Sequence, residues 1–388
     1  MTMKLLITGA DGFIGKNLQM AISERSEFEA LPVTRASSQS YIADAVRQAD
    51  AVIHLAGVNR PEHPSEFMTG NGDCAARLCE RLLADGRALP VIFASSIQAE
   101  RDNPYGASKR AAEQHFADYS AASGASVALY RLPNVFGKWC RPYYNSAVAT
   151  FCHNIAHGLP IQIHEADAEV SLIYVDDVID GWLQSLADLA PGVTFRDAGP
   201  IYPVTVGELA RQIEAFQEVR QTLVTERVGT GLLRALYATF MSYLRTDSFG
   251  YEIPSHADAR GTFVEMLKTK DSGQVSYFTA HPGVTRGGHY HHTKTEKFLV
   301  VRGQALYRFR HMQTGESYER LSDGKRPEVV ETIPGWTHDI TNVGDEELIV
   351  MLWASEQFDR SRPDTIACPL SDGPVVPLRR RYTRAKAA

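Results

Sequence analysis

The sequence predicts an α/β domain built on a doubly wound parallel sheet, followed by a small all-β barrel. Three observations carry that expectation. Over residues 1 to about 200, short apolar runs alternate with amphipathic stretches. After Tyr251 the apolar runs come close together with no helical period between them. Each half also holds its own polar cluster, TGADGFIG near the start and GGHYHHTKTEKFLVVRG from Gly287 to Gly303. Strands separated by helices imply βαβ crossovers, whereas closely spaced strands joined by Gly, Pro or charged turns imply a barrel or sandwich. At 388 residues the chain is long enough for two cores.

In chain order MKLLIT, FEALPVT, AVIHLAG, LPVIFASS and SVALYRLPNVFG read as strands that run into glycine or small polar residues. Between them NLQMAISERS and SKRAAEQHFADYSAAS read as helices, and the stretch from about 204 to 245 is helical again. FVEML, VSYFTA, KFLVVRG, ALYRFRH, EVVETIP and ELIVMLWA supply the strands of the second domain. The polar, proline-containing LRTDSFGYEIPSH sets the boundary near Asp247, giving domains over 1–246 and 247–370 and a basic, mobile tail over 371–388.

A formal net charge of -6 argues against a nucleic-acid binder. No run of about 18 apolar residues is present, so no membrane span is expected. MTMKLLITGA passes into a strand and a glycine turn without the pattern of a secretion signal. Five scattered cysteines with no CxxC suit a reducing compartment, and the expected location is the cytoplasm.

The first cluster, Thr8-Gly9-Ala10-Asp11-Gly12-Phe13-Ile14-Gly15, places glycines three residues apart between a strand and an apolar helix. Such spacing lets backbone N–H groups approach a pyrophosphate at a helix N-terminus. The second strand ends in Val33-Thr34-Arg35, where an NAD enzyme would carry an acid; Arg35 suits a 2′-phosphate, and NADPH is the expected cofactor, with an ordinary surface arginine as the alternative. Leu55, Ala56 and Gly57 close the third strand. Tyr105 and Lys109, four apart on a helix, share one face. The lysine charge is expected to lower the tyrosine pKa and make Tyr105 a usable acid or base, with Ser96 holding a substrate carbonyl.

TGADGFIG, HLAG, the serine-tipped strand, YGASK, Arg131-Leu-Pro-Asn134-Val-Phe-Gly137 and Tyr174-Val-Asp-Asp177 stand in the order found in the extended short-chain dehydrogenase/reductases, which the chain resembles over residues 3 to about 240. The resemblance implies a Rossmann-like fold, a catalytic set of Ser96, Tyr105 and Lys109, and Asn134 near the nicotinamide. The chain departs from many members at Val170-Ser171-Leu172, where they carry Arg-Asp-Phe. Lys138, Arg141 and Asn145 are the substitutes considered for a diphosphate-binding arginine.

In the second cluster, His289 and His291 share a strand face, Glu296 follows a polar turn, and PGWTH brings His338. Three histidines and a carboxylate suit Zn²⁺, Fe²⁺, Mn²⁺ or Ni²⁺. The spacing H-x-H-x4-E-x6-G, then P-G-x-x-H-x-x-x-N ending at Asn342, resembles the cupins. Arg286-Gly-Gly-His289, with Lys297 and Arg302-Gly303, also resembles the cupin epimerases of nucleotide 4-keto-6-deoxysugars, where the matching histidine is a base. His289 is therefore read as ligand or base, and Tyr290, His292 and Lys297 are further base candidates.

HLAGVNRPEH, SSIQAERDNPYGASK, NVFGKWCRPYYNS and RPDTI extend the likeness, over residues 3 to about 366, to the bifunctional capsular-polysaccharide UDP-sugar epimerase/reductases. That resemblance implies bound zinc, NADPH, a homo-oligomer and a UDP-linked 4-keto-6-deoxy-N-acetylhexosamine as substrate. The ketosugar would be epimerised at C3 in the barrel, then reduced at C4 to UDP-2-acetamido-2,6-dideoxy-L-talose, a precursor of UDP-N-acetyl-L-fucosamine. The alternative is a reductase of single activity whose barrel is structural or dimerising.

Overall fold

Leu, Ile and Val runs in the first half are buried on both sheet faces, as parallel strands require. In the computed structural model, which describes residues 2–292, 294–312, 315–361 and 363–370, these runs form β1 (Met3–Thr8), β2 (Phe28–Val33), β3 (Ala51–His54), β4 (Val91–Ser96) and β5 (Ser126–Leu132). The tail expected over 371–388 lies outside the described residues. After β5 come β6 (Asn134–Phe136), β7 (Glu169–Tyr174), β8 (Gly192–Phe195) and β9 (Tyr202–Thr205). The helices between them are α1 (Phe13–Ser23), α2 (Gln39–Gln48), α3 (Asp73–Asp85), α4 (Pro104–Ser123), α5 (Ala147–Ala156) and α6 (Val175–Ser185). α7 (Val206–Thr222) and α8 (Gly231–Met241) follow.

The main sheet runs β2-β1-β3-β4-β5-β8, every pair parallel. This is the expected Rossmann-like arrangement. Strand order reverses between β1 and β3, and ligands of such sheets bind at that switch point. Side chains alternate between two cores: Leu5, Ile7, Ile53 and Ile92 enter one, while Leu6, Val52, Val91 and Phe93 enter the other. A smaller sheet, β6-β7-β9, carries Asn134 at its edge.

The second half is antiparallel with one exception. β10 (Val224–Thr225) pairs parallel with β12 (Gly261–Thr269), and β11 (Ser255–Asp258) lies antiparallel beside β12. β13 (Gln274–Ala280), β14 (Thr285–Tyr290), β15 (Glu296–Arg302) and β16 (Gln304–His311) follow. The last are β17 (Ser317–Asp323), β18 (Val329–Glu331), β19 (Trp336–Asn342), β20 (Leu348–Ala354) and β21 (Ile366–Ala367). One sheet runs β10-β12-β13-β20-β15-β18 and the other β17-β16-β19-β14-β21. Both fill one core, with Phe278, Phe298 and Val350 from the first and Tyr307, Phe309 and Ile340 from the second. The expected all-β barrel is formed.

The two compact units are not divided by one cut. The first comprises the chain up to Glu218 with Val228–Gly250; the second comprises Val219–Arg227 and the chain from Tyr251 onward. A single boundary near Asp247 therefore misses a short segment that the backbone ladder between β10 and β12 assigns to the second unit. Among the described residues, no helix is long and apolar enough to cross a membrane.

Phe116 on α4 is fully buried, its ring 4.9 Å from that of Phe93 and 5.3 Å from that of His54. Phe116→Ala should cost about 3–5 kcal/mol of unfolding free energy, read as a lowered denaturant midpoint.

Candidate active site and metal centre

The glycine cluster is shaped by close backbone approach. Gly9 has φ +69°, and a Cβ there would stand 2.7 Å from the Ala56 nitrogen. A Cβ on Gly15 would meet the Gly9 carbonyl oxygen at 2.5 Å. Removing both side chains lets β1, the turn and α1 close on the Leu55-Ala56-Gly57 end of β3. Thr8 Oγ1 fastens that junction: it accepts the N–H groups of Leu55 and Ala56, each at 3.2 Å, and lies 2.7 Å from His54 Nδ1. His54 is buried, and burial reinforced by the charge of Lys109 lowers its pKa to about 3, so the ring is neutral. Gly12, Phe13, Ile14 and exposed Asp11 frame the N-terminus of α1. Arg35 stands exposed just past β2, in a turn where Thr34 N–H donates to Ser37 Oγ.

Asn103 caps α4 by accepting the Gly106 N–H at 2.8 Å, and Pro104 occupies its first turn. A Cβ on Gly106 would fall 2.3 Å from the Gln98 carbonyl oxygen. Glycine in Tyr-Gly-Ala-Ser-Lys thus seats the helix against the turn that follows Ser96. Tyr105 and Ser96 are half-buried, and Lys109 is buried with its Nζ donating to the Ala94 carbonyl at 3.0 Å. Lys109 Nζ lies 6.0 Å from the centre of the Tyr105 ring.

The expected depression of the Tyr105 pKa is not found in the chain by itself. Burial raises the phenol pKa, opposed by the neighbouring Ser96 hydroxyl. Burial also brings Lys109 down to about 8, against the raising influence of Glu113 and Cys74. Desolvation is the larger influence on the phenol.

Sequence reasoning missed two supports of this site. Asn71 donates to Val58 O and Ser108 Oγ, both at 2.9 Å, and accepts Val58 N–H. Glu113, one turn beyond Lys109, accepts the Ser95 hydroxyl and two N–H groups of Arg131. The i+4 spacing of Lys109 and Glu113 was a visible signal; the pairing with Arg131 was not. Asn134 is exposed, its amide donating to Ser171 O at 3.1 Å. Of the substitutes considered for the missing arginine, Lys138 pairs with Asp176 at 2.7 Å, Arg141 stacks on Tyr144, and Asn145 is exposed.

In the second unit His289, His291, Glu296 and His338 come together, one ligand atom of each lying within 4.8 Å of the others. A register shift in β14 between Gly287 and His289 accompanies φ of +96° at Gly287 and +75° at Gly288, and pairs His289 with His338 across the ladder. His291 Nδ1 contacts the Asp364 carbonyl, which only accepts, so Nδ1 carries the proton. That leaves the Nε2 lone pair 3.1 Å from Glu296 Oε2, an arrangement that needs a second proton or a cation between them. Both ring nitrogens of buried His338 lack a hydrogen-bond partner. An N₃O donor set with orphaned imidazole nitrogens fits a divalent metal.

Burial alone would raise the Glu296 carboxyl, but His291, His338 and Lys294 hold it well below the usual carboxylate range. Burial, with the charge of His338, lowers His289 to about 4, leaving it neutral as a ligand must be. Lys297 faces outward and pairs with Glu331, which sets it apart from the cluster. Tyr290 and His292 place their rings 5.4 Å from each other, and His292 is exposed. Lys294, overlooked in the sequence, is buried with Nζ 3.8 Å from Glu296 Oε1.

Fold and clusters together define a dinucleotide-type oxidoreductase unit joined to a cupin-type barrel. Residues 5–197 match the NAD dependent epimerase/dehydratase family, and residues 256–366 match the polysaccharide biosynthesis C-terminal domain. The chain is 54% identical over 371 residues to a UDP-2-acetamido-2,6-beta-L-arabino-hexul-4-ose reductase of Pseudomonas aeruginosa, covering 96% of this chain and 100% of that one. The capsular polysaccharide assembling protein CapF of Staphylococcus aureus superimposes with a TM-score of 0.86 at 38% identity, over 95% of this chain and 100% of that chain. WbmF of Bordetella bronchiseptica, solved with NAD+, shares the fold at 17% identity and TM-score 0.54, over 62% of this chain and 92% of its own. The chain belongs to the CapF-like UDP-2-acetamido-2,6-dideoxy-hexulose reductase family.

Gly15→Ala should abolish high-affinity binding of the reduced nicotinamide dinucleotide, measured by fluorescence titration, because the added methyl meets the Gly9 carbonyl and the Ala10 backbone.

Proposed function

We propose that the chain epimerises a UDP-2-acetamido-2,6-dideoxy-4-hexulose at C3 in the second unit and reduces its C4 carbonyl in the first. The relative's name supports the substrate class and the reduction. The observation that carries the two-step reading is the His₃Glu cluster with its orphaned histidine, retained in one chain with Ser96, Tyr105 and Lys109. The carbonyl acidifies the C3 hydrogen, and reduction removes the carbonyl, so epimerisation must come first. The product is UDP-2-acetamido-2,6-dideoxy-L-talose, toward UDP-N-acetyl-L-fucosamine. The reading places the enzyme in the cytoplasm as a homo-oligomer.

The Gly9–Gly15 turn and Leu55-Ala56-Gly57 would hold NADPH, Arg35 would favour its 2′-phosphate, and the bound cofactor would supply the hydride for C4. Ser96 Oγ donates to the carbonyl oxygen, and the Tyr105 hydroxyl gives that oxygen its proton. The Lys109 ammonium balances the phenolate left behind, and Asn134 borders the nicotinamide. In the barrel, His289, His291, Glu296 and His338 would hold zinc or a similar cation, which supplies Lewis acidity toward a keto oxygen. His289 serves there as ligand rather than base.

Incubating the ketosugar in D₂O without NADPH should introduce deuterium at C3; no incorporation would leave the single-activity reductase. Tyr105→Phe should cut C4 reduction by about 10²–10⁴-fold while sparing that exchange. His338→Ala should do the reverse, eliminating exchange and preserving reduction of a ketosugar already epimerised at C3. The kcat/KM for NADPH should fall as pH rises through about 8, the Lys109 value, because the ammonium form is the active one.

A further inference from the structure

We propose that the segment Asp364–Cys368 is the outer wall of the metal centre, and that Asp364 and Lys294 are positioning residues for its ligands. The inference rests on the metal reading above. Three of the four ligands are reached from this one segment.

Asp364 acts twice. Its backbone carbonyl takes the Nδ1 proton of His291, which fixes the tautomer and directs the Nε2 lone pair at the cluster. Its carboxylate accepts the His292 N–H through Oδ1 and the Lys294 N–H through Oδ2, each at 2.8 Å. The backbone at His292 and at Lys294 is thereby clamped beside His291. Thr365 Oγ1 accepts Lys294 Nζ at 2.8 Å, and the ammonium faces Glu296 Oε1 at 3.8 Å. Oε2 is left to face His291 at 3.1 Å and His338 at 3.5 Å, so the lysine chooses which oxygen the centre receives.

The third ligand is held through the backbone. Ala367 pairs with His289 across the ladder, and Cys368 N–H donates to Gly288 O at 2.8 Å. Thr337, one residue before His338, donates its hydroxyl proton to the Cys368 carbonyl, with the His289 carbonyl also within reach at 3.3 Å. A segment about 70 residues away in sequence thus supplies the hydrogen bonds that ligand imidazoles and carboxylates require to stay oriented.

The test compares Asp364→Ala, Asp364→Asn and Thr365→Val with the parent in the full-length chain. Zinc affinity is measured by competition with a chromogenic chelator, and ligand geometry by the visible spectrum of Co²⁺-loaded protein. Asp364→Ala should weaken zinc binding by about 10–100-fold and alter the cobalt spectrum, with Asp364→Asn between it and the parent. Thr365→Val, a small change at a half-buried position, should shift the cobalt spectrum even if Asp364→Ala fails to fold. Reduction of pre-epimerised ketosugar should be unchanged throughout. Affinity and spectra indistinguishable from the parent's in the folded variants would overturn the proposal. A parent that binds no zinc would instead overturn the metal reading itself.

Discussion

A carboxylate taken out of water must be met by cations or donors, and both halves of this chain are organised around that requirement. Glu113 lies one turn beyond Lys109 on α4, where Arg131 brings two N–H groups at 3.0 and 2.7 Å and Ser95 a hydroxyl. Those partners sit on β5 and β4, so one buried charge sets how α4 lies across the two strands. Tyr105 and Lys109 inherit their place from that setting. Glu296 plays the corresponding part in the barrel, where it gathers two histidines and a lysine.

Elements with a short internal period were legible in the sequence. The parallel strands, the Tyr105–Lys109 face and the His-x-His pair all follow from spacing within a dozen residues. Long-range partnerships were not. Asp364 and Lys294 meet only because β21 pairs with β14, and no local pattern reports that ladder. β17, SYERLSD, has a long exposed run rather than a clean alternation, so it carries no strand signature of its own; its register with β16 defines it. The Tyr105 pKa went the other way because proximity to a lysine is readable from spacing, whereas burial is a property of the assembled core.

The stretch FGKWCRPYYNS shows a different kind of dependence. Trp139 and Tyr143 hold φ of +67° and +57°, which bulky side chains rarely adopt. The arrangement is over-determined from outside: Arg60 donates to the carbonyls of Tyr143 and Tyr144, the Tyr243 hydroxyl donates to Cys140 O, and the Tyr143 hydroxyl meets Asn154. Strain of this sort persists where neighbours fix it, and it gathers at sites that bind. Here it follows β6, the strand that bears Asn134.

Val224 and Thr225 give the chain a woven topology. The polypeptide leaves the first unit, lays two residues beside β12, returns to form α8, and only then departs for good. No single scission between 228 and 250 yields two intact pieces: the front fragment would keep β10, and the rear fragment would expose an unpaired edge on β12. Gene fission, or the simple transplantation of either half, therefore requires rebuilding a strand. The backbone itself, through two residues of β10, keeps the two halves from being exchanged as simple consecutive segments.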